Sequence, residues 1–216
     1  MRAIDVMVHD VVTVRPDTDV AEATKLLAEH DVSALPVLDQ DGNLIGILSE
    51  ADLIHRAEIG TEKHRPRWLE AVTGATTLAE EFAKSRGKKV GEVMTTGVIS
   101  VTEETPLSEI AAIFEHKRIK RVPVLKDGKL VGIVSRSNLI QALASVIGRV
   151  DQHDETDRQI RLDVLSRLKD QRWTDFGERN VTVGNRVVHL WGLVGTEGER
   201  KALLALAESV PGVSCL

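Results

Sequence analysis

With 216 residues, 42% hydrophobic and 28% charged, the chain is long enough for one large or two small domains, each with a real core. A net charge of −5 with no Lys/Arg stripe excludes non-specific nucleic-acid binding, and the lack of Tyr, with only three Phe and three Trp, excludes base-stacking platforms. No apolar run approaches the ~18 residues of a membrane span, the single Cys215 excludes an internal disulfide framework, and the seven scattered His show no ligand spacing, so no metal is expected.

Met1-Arg2-Ala3-Ile4-Asp5-Val6 places an acid where a secretory signal carries its apolar region, so no export signal is expected and a reducing cytoplasm fits. Val6-Met7 and the apolar strand Val11-Val12-Thr13-Val14 follow. Thr18 is the expected N-cap of a helix whose stripe is Val20, Ala23 and Leu27. Next, Leu35-Pro36-Val37-Leu38 and Leu44-Ile45-Gly46-Ile47-Leu48-Ser49 flank Asp41-Gly42, the pattern of a tight β-hairpin with Pro36 at a strand start or edge. Ser49 is placed to accept the first free N–H groups of a helix through Asp52-Leu53-Ile54.

The whole series recurs. Val93-Met94, Val98-Ile99-Ser100-Val101, Thr105-Pro106, the stripe Leu107, Ile110, Ala111 and Phe114, then Val122-Pro123-Val124-Leu125, Asp127-Gly128, Leu130 to Ser135 and Asn138-Leu139-Ile140 repeat each landmark in order. Thr105 takes the N-cap position of Thr18. Each copy reads β, α, β, β, α, and a unit of about 55 residues buries too little alone, so the two are expected to pack with pseudo-twofold symmetry. The segment 58–89 has no counterpart: Trp68, Leu69, Val72, Leu78, Phe82 and Ala83 have helical spacing, as an inserted crossover or as a lid or dimerisation arm, and His64-Arg65-Pro66-Arg67 is its cationic cluster.

Residues 149–156 turn polar and mark a linker. Beyond it Ile160, Val164, Leu165 and Leu168 share a helical face, with Asp157 to Arg161 and Asp163 to Arg167 pairing along the outside. Val181-Thr182-Val183 and Val187 to Val194 flank Gly184-Asn185 as a hairpin, Thr196 and Glu199 form a capping box before Ala202, Leu203, Leu206, Ala207 and Val210, and Pro211-Gly212-Val213 starts a strand.

The duplicated pattern, covering 1–57 and 90–148, resembles tandem CBS motifs, the Bateman module. The order α-β-β-α-β over 157–216, with Gly192 and Gly212, resembles a BON domain, from which it departs in a third strand expected to stop at Leu216 after four residues. The fold class expected is α+β: two β-α-β-β-α motifs plus a small BON domain. The first resemblance implies clefts for adenine nucleotides or S-adenosylmethionine and pairing of modules into a homodimer; the second implies phospholipid or envelope attachment, mostly in exported proteins.

By that resemblance Asp52 bonds ribose hydroxyls, and Asn138 holds the same post without a carboxylate, so the two sites are expected to be unequal. Ser49 and Ser135 match phosphate-side hydroxyls, or serve as plain N-caps. Lys120 and Arg121 precede Val122-Pro123 where the first copy has Ser33 and Ala34; they are counter-charges for a phosphorylated ligand or a solvated basic edge. Thr13, Val14, Ile99 and Val101 line the base slots or simply fill a core, and Ala34, Pro36 and Pro123 complete the set. No nucleophile, base and orienter arrangement, P-loop or Gly-x-Gly-x-x-Gly occurs, so catalysis is not expected. The expectation is a cytoplasmic, non-catalytic regulatory protein that binds AMP, ADP, ATP or S-adenosylmethionine and signals through dimer shape or the BON domain. The alternative is a ligand-independent dimeric scaffold whose BON domain adheres to a protein or a phospholipid surface.

Overall fold

Val20, Ala23 and Leu27 recur at helical spacing, and helix α1 (Val20–Glu29) buries all three. In this computed structural model residues 1–61, 82–146 and 155–214 are described. The chain divides into two units: one comprises Val11–Ile99 with Lys126–Leu130, the other Met1–Asp10, Ser100–Leu125 and Val131–Leu216. Trp68, Leu69, Val72, Leu78 and the His64 to Arg67 cluster lie outside the described residues, as do Arg149, Asp151, Asp154 and Cys215.

In the first unit, strand β1 (Ala34–Leu38) pairs antiparallel with β2 (Leu44–Ser49), followed by the short helices α2 (Glu50–Leu53) and α3 (Val90–Val93). Val14 makes a parallel bridge to Val37. The core gathers Val14, Val20, Ala23, Leu27, Leu35, Val37, Leu48, Val90 and Val93. Leu35, Val37 and Leu48 lose all their exposure, each contributing about 1.5–3 kcal/mol by burial.

The second unit holds β3 (Val101–Thr102), α4 (Leu107–His116), β4 (Arg121–Lys126), most of β5 (Lys129–Ser135) and α5 (Arg136–Val146). The sheet order is β3-β4-β5, with β3 parallel to β4. Its core centres on Met7, Val101, Ile110, Phe114, Val122, Val124 and Val134. Ala111, expected on the buried stripe, is exposed. The unit continues with α6 (Glu155–Lys169), β6 (Val181–Gly184), β7 (Val187–Leu190) and α7 (Glu197–Glu208) around a further core that includes Ile160, Val164, Leu168, Leu203 and Ala207.

Several local expectations are corrected. Thr18 and Thr105 are not N-caps: Asp19 and Pro106 occupy those positions. Their hydroxyls instead accept the N–H of Arg15 at 3.1 Å and of Thr102 at 3.0 Å, closing the turn before the helix. The first helical N–H groups, of Val20 and Leu107, donate to the carbonyls of Lys88 and Met1. Pro36 and Pro123 are third in their strands rather than first. Pro36 faces Ile47, whose N–H and C=O both bond Thr95 at 2.9 Å, so no ladder bond is demanded of the proline nitrogen. Of the two repeated hairpins, the second is the one with a two-residue turn and both positions left-handed, Asp127 (φ 49°) and Gly128 (φ 79°). In the first, Asp39 organises a longer turn by accepting the N–H groups of Asp41 (2.9 Å) and Asn43 (2.8 Å).

In the C-terminal region the turn is Asn185-Arg186, both at positive φ, not Gly184-Asn185. Asp157, expected on an outer ion pair, is buried and accepts both turn N–H groups, at 2.8 and 2.6 Å. Arg161 is buried as well, while Asp163 accepts from Gln159 and Arg167 donates to Ser209. Helix α6 begins at Glu155, inside the segment expected as linker. β7 ends at Leu190, leaving Leu193 98% exposed. In place of a third strand, among the described residues, a single bond links the Ser214 N–H to the Arg186 carbonyl. The Thr196 hydroxyl does accept the Glu199 N–H at 3.0 Å.

Candidate functional site

In each copy the sequence ends a strand on serine and starts a helix. Strand β2 brings Ser49 to an extended N-cap position (φ −130°, ψ 167°), and α2 places Asp52 one turn later. Asp52 Oδ2 accepts the Ser49 N–H at 2.9 Å and the Ser49 hydroxyl at 2.8 Å. The Ser49 hydroxyl therefore gives its proton to the carboxylate. The other carboxylate oxygen, Oδ1, accepts the Thr95 hydroxyl at 2.9 Å. Thr95 is carried there by the ladder pair with Ile47, reinforced by Met94 lying on Gly46, where a Cβ would overlap the Met94 sulfur.

The other unit repeats the arrangement with different chemistry. Asn138 Oδ1 accepts the Ser135 N–H at 2.8 Å and its hydroxyl at 2.7 Å, and the Ser135 hydroxyl also meets that of Ser137 at 2.7 Å. Val8 takes the place of Thr95: its N–H and C=O exchange bonds with Ile133 at 3.0 and 2.9 Å, and Met7 lies on Gly132. Asn138 is 5% exposed and Asp52 half-buried.

The other candidates divide between the units. Ala34 pairs with Ser49 across the hairpin, and the Val14 N–H donates to the Pro36 carbonyl at 3.1 Å, so Ala34, Pro36, Val14, Ser49 and Asp52 are brought together, with Thr13 adjacent. Ile99 ends the same unit and is half-buried. Val101, Pro123, Ser135 and Asn138 belong to the other unit, and Val14 and Val101 both lie in the apolar cores. The Lys120 side chain is exposed while its carbonyl takes the Arg136 N–H, and Arg121 is half-buried at the start of β4.

Sequence reasoning missed Thr95 and Val8, although they follow the matched pairs Val93-Met94 and Val6-Met7 directly. It also missed two arginines that hold main chain. Arg136 donates to the carbonyls of Ile119 and Phe114 at the end of α4. Arg56, 6% exposed, donates to the carbonyls of Lys84 and Gly87 and to Glu58. No periodicity marks a side chain that reaches carbonyls distant in sequence. At Glu178 burial pushes the carboxyl up, but the donors of His9 and Asp10 outweigh that and leave it below the usual glutamate value.

The CBS domain profile matches residues 3–58 and 90–145, and the BON domain profile matches 156–214. The CBS domain-containing protein CBSX1, chloroplastic, of Arabidopsis thaliana is 33% identical over 144 residues, an overlap of 64% of this chain and 61% of that protein. The chain therefore spans less than two thirds of that relative's length. Among solved structures, CBSX2 in complex with AMP superposes with a TM-score of 0.59 at 31% identity, covering 68% of this chain and 98% of that one. The CBS domain pair of protein MJ0100 in complex with 5′-methylthioadenosine and S-adenosyl-L-methionine gives 0.51 at 25% identity, covering 67% and 96%. The two copies, their serine-capped turns and the matched segments together place this chain in the CBS-domain family, as a CBS pair followed by a BON domain.

Proposed function

We propose that this is a non-catalytic, cytoplasmic regulatory protein whose CBS pair binds an adenosine-containing ligand, namely AMP, ADP, ATP or S-adenosylmethionine. Occupancy is relayed through the BON domain or the form of a homodimer. The observation that carries this reading is Asp52, a half-buried carboxylate held by Ser49 and Thr95 at the place the resemblance assigns to the ribose hydroxyls. Pre-organised acceptors cost little to align when a hydroxylated ligand arrives. The complexes of CBSX2 with AMP and of the MJ0100 pair with methylthioadenosine and S-adenosylmethionine support the ligand class.

The test is a thermal-shift panel of AMP, ADP, ATP and S-adenosylmethionine on wild type, Asp52→Ala and Arg121→Ala. A ligand at ~100 times its dissociation constant adds roughly 2.7 kcal/mol to the folded state. A shift of several degrees that Asp52→Ala diminishes supports the reading; a flat panel at millimolar ligand sinks it.

A second reading, a ligand-independent dimeric scaffold with an adhesive BON domain, is favoured by the exposed apolar side chains of Ile140 and Leu143 on α5 and of Leu193 beyond β7. Sedimentation of the ligand-free protein and flotation with anionic liposomes separate the two readings. A ligand-free dimer that co-floats, with a flat thermal panel, selects the scaffold.

A further inference from the structure

The C-terminal domain shares its unit with the first ten residues of the chain, and its polar contacts with them converge on one strip. Arg161 of α6 is 3% exposed and donates to three carbonyls: Val181 at 3.0 Å, Met7 at 3.1 Å and Glu178 at 3.2 Å. Two of those carbonyls lie in the BON domain and the third in the strip. Glu178 accepts the main-chain N–H groups of His9 and of Asp10 (3.2 Å) and meets His9 Nδ1 at 3.0 Å. Arg158 donates twice to Asp5 Oδ1, at 2.7 and 3.1 Å. Main-chain groups from Met7 to Asp10 are thus gripped from the BON side.

The strip's other edge faces the second copy. Val8 exchanges both main-chain bonds with Ile133, two residues before Ser135, and the Met7 sulfur would stand 2.7 Å from a Cβ on Gly132, with the Val8 carbonyl at 3.0 Å. The strip is therefore pinned between the buried guanidinium and the strand that delivers Ser135 to Asn138. We propose that Arg161 is a positioning residue for the Ser135/Asn138 site, and that the BON domain, through the Met7 to Asp10 strip, sets the affinity of that site for its ligand. The ligand half of this inference rests on the proposed adenosine reading. The equivalent strip of the first copy, ending at Thr95, lies in the other unit and serves as an internal control.

Two measurements on the full chain test it. Hydrogen exchange without ligand compares wild type with Arg161→Met, and with Glu178→Gln in case the first variant folds poorly. Protection of the Val8 and Ile133 amides is expected to fall by about tenfold, less in Glu178→Gln, while the Thr95 and Ile47 amides stay within about twofold. Unchanged protection at Val8, or equal loss at both pairs, overturns the positioning role. Calorimetric titration with AMP then compares Asp52→Ala with Asp52→Ala/Arg161→Met, so that only the second site reports. An affinity weakened about tenfold is expected; an unchanged affinity overturns the coupling. Absence of binding of AMP, ADP, ATP and S-adenosylmethionine to wild type defeats the adenosine reading and the coupling, and the exchange result alone then decides whether Arg161 positions the strip.

Discussion

Asp52 and Asn138 stand at the same step of the two copies, three residues beyond a serine that ends a strand, yet their surroundings differ in a matched way. Asp52 offers two oxygens and meets three donors, the third from Thr95. Asn138 offers one oxygen and meets two donors, and Val8 replaces Thr95. The threonine is present where the acceptor has a second oxygen to satisfy and missing where it has not. The main-chain framework is shared between the copies while the polar side chains that open the helix after each hairpin have diverged, as expected if the framework serves folding and the side chains serve separate roles.

The framework itself gives the largest expected effect. Gly46 and Gly132 both admit a methionine side chain, but only at Gly132 does a main-chain carbonyl, that of Val8, also stand 3.0 Å from where a Cβ would lie. A thioether can swing aside; a laddered carbonyl cannot. Gly132→Ala is expected to cost about 1–3 kcal/mol and Gly46→Ala less than about 1 kcal/mol, read as midpoint shifts in urea unfolding. Equal costs would mean that the carbonyl yields as easily as the sulfur, and would weaken the view of the strip as a pinned element.

At the level of binding, Asp52→Asn turns the first site into a copy of the second. Loss of a charged acceptor for ribose hydroxyls is expected to weaken AMP there by about tenfold, whereas Asn138→Ala weakens the second site by about threefold or less. Titration calorimetry on each variant checks the pair, and the reverse order of effects would assign the stronger site to the second copy. Thr95→Val is a smaller change: the Thr95 hydroxyl is exposed, so the cost to stability is about 0.5–1 kcal/mol. The converse Val8→Thr is expected to gain nothing alone and to gain a similar amount only beside Asn138→Asp.

How far the sequence could foretell these features depended on their range. The repeats, the apolar stripe of α1 and, apart from Ala111, that of α4, the strand pairs of the hairpins and the Thr196 cap rest on local spacing, and each was legible. So were the positions of Ser49 and Asp52 at the start of α2. The direction of the Ser49 proton was not, because it is set by the Asp52 carboxylate, a charged acceptor that also takes the Ser49 main-chain N–H. Pro36 does lie in an edge strand, as its third residue, and the reason it fits there, the commitment of Ile47 to Thr95, lies about fifty residues downstream. Arg161 and Asp157 read as an exposed i, i+4 pair; both instead spend their charge on main-chain groups of other elements, which a helical wheel cannot reveal. Thr95 was one residue beyond a match already drawn.

The contrast between units extends to acid. In the first unit, exposed carboxyls are held below their ordinary values: Asp39 by Asn43, Glu58 by Arg56 and Glu92 by the N–H groups of Lys89 and Lys88. In the second, Glu178 is lowered although burial works against it, because the His9 and Asp10 donors favour the carboxylate. A carboxyl lower in the folded state contributes stability that is fully present above its unfolded value, here 4.5, and lost as pH falls from there through the folded value. The wild-type protein is therefore expected to exceed Glu178→Gln in urea midpoint near neutrality, with the gap closing as acid is added below about pH 4.5. Glu178 is partly solvated, so the gap is about 0.5 kcal/mol or less. A gap that persists unchanged at about pH 3 would show that Glu178 contributes through shape rather than charge, and the grip on the strip would then fall to Arg161 and Arg158.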